Sequence, residues 1–401
     1  MLNALLWYFW TQVFALGGSF VAALWLRNLP DRGYGIGKAV GLLLGGYFYW
    51  ILVTLGLAQN NSGAVLMALG MLLVIGYWLR RSNNQQPTTN NLIAIIATEL
   101  LFALAFILCA LYRAYNPEIQ SSGGEKFMES LMLNAITRSS HFPPNDAWLS
   151  GFAISYYYFG YVILAMLTKI SGIAPSIAFN LSGATIFALV MTSAFSVGFN
   201  LWKSHERRAE SDEQEATLTA PRSQLIAHSS PLAAGLLTAI MLGLMGNMGG
   251  FMGVLRCGNV LPASVWQWLD VRELATQNTQ CTGLRPSAYF YEWWWDWSRV
   301  VKDYALTTSD QGKFNTVEVI TETPAFSFVL GDNHPHTLAL PFVLIAIAFA
   351  MNAVSRNRTP SRSPIPEVLL GAIVVGGLAF LNTWDFPVYG ALMVGGLVLG
   401  R

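Results

Sequence analysis

The chain has 401 residues, of which 54% are hydrophobic and only 11% charged. Soluble domains carry roughly 25% charged residues, so a soluble globular enzyme and a disordered chain are both excluded. A net charge of +1 leaves no basic stripe to neutralise phosphates, which excludes a nucleic-acid partner and leaves membrane lipids as the expected surroundings.

Apolar runs near the ~20 residues that cross a bilayer lie at 4–26, 37–57, 63–79, 91–112, 174–202, 232–255, 338–354, 367–381 and 387–400, with a shorter one at 152–168. They predict an all-α integral membrane protein of nine or ten hydrophobic segments: three N-terminal spans over 1–90, then a transmembrane core over 91–401. The first run is too long for a signal h-region and lacks a basic n-region, so it reads as a retained span. The last stops at Arg401, so the sequence reads as the N-terminal part of a longer protein.

Loop charges orient the spans. Arg27, Arg32 and Lys38, then Arg80 and Arg81, then Lys203, Arg207 and Arg208, then Arg356, Arg358 and Arg362 mark four cytoplasmic loops. The N-terminus and 58–62, 113–151, 256–337 and 382–386 then lie outside. An odd number of crossings must separate 113–150 from 203–231, yet two apolar runs lie between them. The Tyr-rich run at 152–168 is therefore expected to lie along the outer interface or to re-enter it. The mixed-charge stretch 204–230 reads as a flexible linker. Cys109 reads as a core residue, and Cys257 and Cys281 could pair in an oxidising compartment.

The outer loops hold the polar clusters. After Gly123-Gly124, an amphipathic helix is predicted from Glu125 to about Thr137, with Glu125 and Glu129 on one face and Lys126 beside them. Helix-dipole compensation is the plainer use of Glu125. Asp146 follows Pro143-Pro144 and can cap a following helix. Tyr156-Tyr157-Tyr158 is an aromatic belt or a set of hydroxyls at a site. A tryptophan cluster at 293–297 is a belt or a sugar platform, and Arg299 could pair with Asp296 or hold a phosphate.

Asp332, His334 and His336 form the sharpest signal, since two of only five histidines stand here. In an extended segment, alternate residues point the same way, so the three can converge on a divalent metal or a phosphate. A loop hydrogen-bond network is the alternative. Asp385, in the polar break Asn382–Phe386, is a site residue or a simple turn, and Glu99 is a carboxylate inside a span.

The stretches GGEKFME, FPPNDAWLSGFAISYYYFG, AFNLSGATIFAL, WDWSRV, ETPAFSFVLGDNHPHTLALPF and LNTWDFPVYG resemble an uncharacterised prokaryotic membrane family named for its tyrosine triplet. That family is in turn similar to the C-type glycosyltransferases, which use polyprenyl-phosphate sugars. The likeness covers mainly 91–200 and lies in an order of features: a span, an outer loop opening with an acid, a Pro-Pro element, and a Tyr-rich short helix. It implies an essential acid at Glu125, with Glu129 as substitute because Gly124 stands where the usual acidic pair would begin.

The resemblance implies a glycosyltransferase in a prokaryotic cell membrane, facing outward, with a lipid-linked sugar donor as partner. Glu125 or Glu129 would take the acceptor proton. Lys126, Asp146, Tyr157, Arg299, His334, His336 and Asp385 would bind substrate or phosphate, with a divalent metal on Asp332, His334 and His336 as the candidate cofactor. A transporter or flippase of a lipid-linked or polar solute is the alternative, and a structural subunit of a membrane complex a third reading. A transporter would call for an internal repeat and mid-span ionisable residues; there is no repeat, and Glu99 stands alone.

Overall fold

The computed structural model describes residues 1–83, 92–120, 124–216, 231–246, 249–269, 298, 302–308, 314–355 and 365–400. The apolar runs become helices α1 (Leu2–Trp25), α2 (Tyr34–Thr54), α3 (Ser62–Asn83), α4 (Leu92–Tyr115), α5 (Lys126–Arg138), α6 (Phe159–Ser171), α7 (Pro175–Ala216) and α8 (Pro231–Gly243). Beyond these come α9 (Gly249–Cys257), α10 (Ala263–Leu269), α11 (Pro324–Leu330), α12 (Pro335–Val354), α13 (Ile365–Leu381) and α14 (Asp385–Leu399). Among the described residues, six helices are long and apolar enough to cross a membrane: α1, α2, α3, α4, α7 and α12. The helices α6, α8, α13 and α14 are apolar but shorter.

Contacts group Met1–Gly243 with Gly331–Arg401 in one compact unit and Leu244–Leu330 in another. The first unit is held by glycine seams. Gly18 of α1 faces Gly37 and Gly41 of α2, and a Cβ at Gly18 would lie 2.1 Å from the Gly41 nitrogen. Without hydrophobic driving force between helices in lipid, close backbone approach supplies the packing energy. The same device joins α7 to α8, where Gly198 meets Thr238 and Gly235 meets Phe195.

Three elements differ from the expectation. Gly33, left-handed at φ 71°, starts α2 at Tyr34, so Lys38 lies inside the helix rather than in a loop. There its ammonium donates to Glu99 at 2.7 and 2.9 Å and to Gln12 at 2.8 Å, while the Tyr34 hydroxyl donates to Glu99. The polar stretch after α7's apolar part is helical as far as Ala216, which makes α7 42 residues, about 63 Å long. Residues 217–230 lie outside the described residues. The run at 232–255 is broken into α8 and α9, because Gly243, Gly246, Gly249 and Gly250 crowd its middle and weaken the helix there.

The second unit also departs from an all-helical outer loop. Lys302–Thr308 (β1) pairs antiparallel with Phe314–Glu318 (β2), in the register Lys302 to Glu318 and Asp303 to Val317. Threonine, valine and aromatic residues there favour strand over helix. Cys257 is disulfide-bonded, and Cys281 lies outside the described residues. Cys109 is free and buried in α4.

Contacts assign loops to the two ends of the helices in the first unit. At one end, Asp31 in the α1–α2 connection accepts from Asn200 of α7 at 2.8 Å and from the Gly33 amide at 2.7 Å. Asn28 and Asn352 of α12 bond there too. At the other end, Asn60 donates to the Ile136 and Ser139 carbonyls that close α5. Helix α6 touches this second end twice. Its start meets Trp50 near the end of α2, and at its far end Lys169 donates to the Thr137 carbonyl at 2.8 Å. Its 13 residues, about 20 Å long, therefore dip into the bundle and do not cross. Phe159 to Thr168 are all buried, so α6 re-enters between helices rather than lying on the membrane surface.

Gly18→Val should lower the thermal unfolding midpoint in detergent sharply, because the added atoms have only backbone to displace and overpacking costs about 1–3 kcal/mol or more. Gly70, with open space around it, should accept alanine with a gain of about 0.5–1 kcal/mol. Equal midpoints for Gly18→Val and wild type would refute the seam.

Candidate functional site

Helix α5 carries the acids. Gly124, left-handed at φ 69°, turns the chain, Glu125 stands at the N-cap position without a side-chain capping bond, and Lys126 begins the helix. Glu125 and Glu129 are one turn apart and share a face. That face lies against the turn Gly331–His334, which leads into α12 with Pro335 at its first position, where a missing N–H is tolerated.

The two acids have different environments. The Glu129 side chain is 0% exposed, and the backbone N–H of Asn333 donates to its Oε2 at 2.8 Å. Asp332, also buried, lies within hydrogen-bonding reach of Glu129, and neither Glu129 Oε1 nor Asp332 Oδ1 has a donor. Burial first, and Asp332 second, raise the Glu129 carboxyl well above its ordinary value. A second carboxyl this close favours the neutral form of Glu129. Glu125 is 56% exposed on its side chain and can meet a substrate; Glu129 cannot without a rearrangement.

Glu125 Oε2 stands 3.2 Å from His334 Nε2, and His334 Nδ1 stands 2.6 Å from His336 Nδ1. One of the two Nδ1 atoms carries the proton and the other accepts it. The result is a carboxylate–imidazole–imidazole chain. Asp385, which also accepts from Asn382 at 3.0 Å, lies within electrostatic reach of His336. The extended geometry expected for 332–336 ends at His334, because helix α12 starts at Pro335. Asp332 turns to Glu129 while the imidazoles turn to each other. Among the described residues no group of three His, Cys, Asp or Glu is placed to hold a metal ion, so the expected ligand set of Asp332, His334 and His336 is not formed.

Two cations sit behind the acids. Lys126 is 3% exposed, and its ammonium is held below its ordinary range by burial and then by Arg113, against the pull of Asp332, Glu129 and Glu118. Arg113, in the last turn of α4, is buried and donates twice to the Asn180 side-chain oxygen, at 3.0 and 2.7 Å. Its guanidinium packs onto Gly331. That residue has φ 74°, and a Cβ there would lie 1.9 Å from the Arg113 Nη1.

The remaining expected residues divide. Tyr156 lies within electrostatic reach of Glu125, Glu129 and Asp332, and burial above all raises its phenol. Tyr157 is a step removed, its ring 5.1 Å from that of Tyr156. Tyr156 and Tyr157 precede α6, with Tyr158 as its cap, so the three do not surround a helix. Asp146 accepts from the Trp148 and Leu149 amides at 2.7 and 2.9 Å in a turn, and caps no helix. Arg299 and the tryptophans at 293–297 lie outside the described residues. Arg113, Asn180 and Asn333 carry the site yet had no role assigned from sequence. The only signals were an arginine ending an apolar run and an asparagine between Asp332 and His334.

Long apolar helices, a re-entrant helix and a polar cluster at one end define a multi-pass helical membrane protein. Residues 44–401 match the uncharacterised membrane protein family DUF2298, and the chain belongs to that family. No curated protein and no solved structure matches the chain.

Because Glu129 is held protonated in the fold and ionises in the unfolded chain above about 4.5, its stabilising contribution is full below that pH and is lost as pH rises through the raised folded value. Glu129→Gln, which can donate to Asp332 and accept from Asn333, should flatten this part of the midpoint-versus-pH curve. Glu129→Ala should destabilise by about 1–3 kcal/mol through the stranded Asn333 amide and Asp332. Identical pH slopes for wild type and Glu129→Gln would refute the raised Glu129 carboxyl.

Proposed function

We propose that the protein is a membrane glycosyltransferase that moves a sugar from a polyprenyl-phosphate donor to an acceptor hydroxyl. The observation that carries this reading is the chain Glu125–His334–His336, an exposed carboxylate backed by two imidazoles beside buried Lys126 and Arg113. Glu125 takes the acceptor proton, and His334 sets the carboxylate's position. The acceptor oxygen bonds to the anomeric carbon as the bond from that carbon to the phosphate oxygen breaks. The lipid phosphate leaves with the electron pair, and buried Lys126 behind Glu125 lends positive potential to that charge. No step is assigned to a metal.

The reading places the site at the outer face of a prokaryotic cell membrane. Arg27 and Arg32 lie in the α1–α2 connection at the opposite end of the bundle, which the charge rule makes cytoplasmic. Glu99, the carboxylate expected inside a span, is closed by hydrogen bonds from Lys38 and Tyr34, which suits a structural tie better than a solute pathway.

The test uses the full chain in lipid nanodiscs with radiolabelled polyprenyl-phosphate sugars and native membrane extract as acceptor. Wild type should transfer label, and Glu125→Gln should lose transfer by about 10²–10⁴-fold, the usual weight of a general base. Transfer unaffected by Glu125→Gln, or no turnover of any such donor, would overturn the reading.

A further inference from the structure

A second concavity lies between the end of α4 and the start of α7. It encloses about 530 Å³, within the roughly 300–1,000 Å³ of small-molecule sites. Its polar wall includes Arg113, Asn180, Ser176 and Glu118. Its apolar wall is built by helical spacing: Ala110 and Ala114 are one turn apart on α4, and Ile177 and Leu181 one turn apart on α7. Two small residues opposite two branched ones leave a groove along both helices. Its remaining lining, Pro117, Ile119 and Gln120, follows the end of α4.

Depth and charge fix the ligand class. Arg113 sits in the last turn of one candidate span, and Ser176 and Ile177 in the first turn of another, so the polar end of the groove lies at headgroup level. The N-terminus of the long helix α7 adds partial positive charge. An anion in the groove would meet the Arg113 guanidinium at its polar end. Glu118 opposes it, but its side chain is solvated.

We infer that this groove is a binding site for a phosphate-bearing lipid, with the phosphate on Arg113 and the first chain carbons along Ala110, Ala114, Ile177 and Leu181. The inference goes beyond sugar transfer, because such a lipid binds here whether or not the Glu125 chain does chemistry. A lipid phosphate and free phosphate share the Arg113 contact; the apolar wall selects the lipid.

The experiment measures binding of dihexanoyl phosphatidic acid, dihexanoyl phosphatidylcholine and inorganic phosphate to the purified full chain by calorimetry. Phosphatidic acid should bind at least about tenfold more tightly than either of the others, the weight of a charge-assisted hydrogen bond or of a few buried methylenes. Arg113→Gln should lower its affinity about tenfold, and Glu118→Gln should raise it. Ala114→Phe, which fills the groove without touching a charge, should weaken phosphatidic acid and leave inorganic phosphate unchanged. It decides the matter if Arg113→Gln does not fold. Equal affinity for the two lipids, phosphate binding as tight as phosphatidic acid, or Ala114→Phe without effect would each overturn the site. Failure of the transfer assay with this binding intact would count against the glycosyltransferase reading alone.

Discussion

A carboxyl group stripped of water must find a donor, and Glu129 finds the amide of Asn333. The rest of the site depends on that bond. It sets the register between α5 and the turn before α12. One helical turn earlier stands Glu125, and one residue later than Asn333 stands His334. The two segments therefore meet as a ladder of two rungs, Glu129 with Asn333 and Glu125 with His334. The buried rung fixes geometry, and the exposed rung is free to do chemistry. Asp332 stands beside the buried rung and favours the neutral form of Glu129 over a charge in a dry place.

The other end of α5 is secured by different means. The last carbonyls of a helix lack partners, and those of α5 are taken by Asn60 and Lys169. Lys169 ends the re-entrant helix α6, whose entrance delivers Tyr156 to the acids. A buried helix with both ends at this end of the bundle thus supports both ends of the site, which a crossing helix could not do. This is the structural use of a short apolar run that sits oddly among full-length spans.

Much of this was legible in the sequence, for physical reasons. Hydrophobic length identifies spans because bilayer thickness is fixed. The parity of arginine-bearing loops isolates α6 as a run that cannot cross, although it does not separate surface from re-entry; burial does that. The pairing of α5 with the GDNHPH turn is not legible. The two lie two hundred residues apart, and only the loss of water at Glu129 joins them. The alternation expected of Asp332, His334 and His336 stops at His334, because proline starts a helix at 335. The hairpin β1–β2 was missed because apolar length is silent about polar segments. Arg113 was passed over because one arginine at the end of an apolar run looks like any span boundary.

Gly331 and Arg113 carry a further lesson. Residue 331 is closed to side chains twice over, by a backbone angle of 74° and by a guanidinium filling the space a Cβ would need. Relief of either restriction leaves the other in force. Exchanging the arginine for a smaller residue makes room but does not make the turn acceptable to an L side chain. Glycine at 331 is therefore required even beside a smaller side chain at 113, whereas the arginine is constrained only by what it binds.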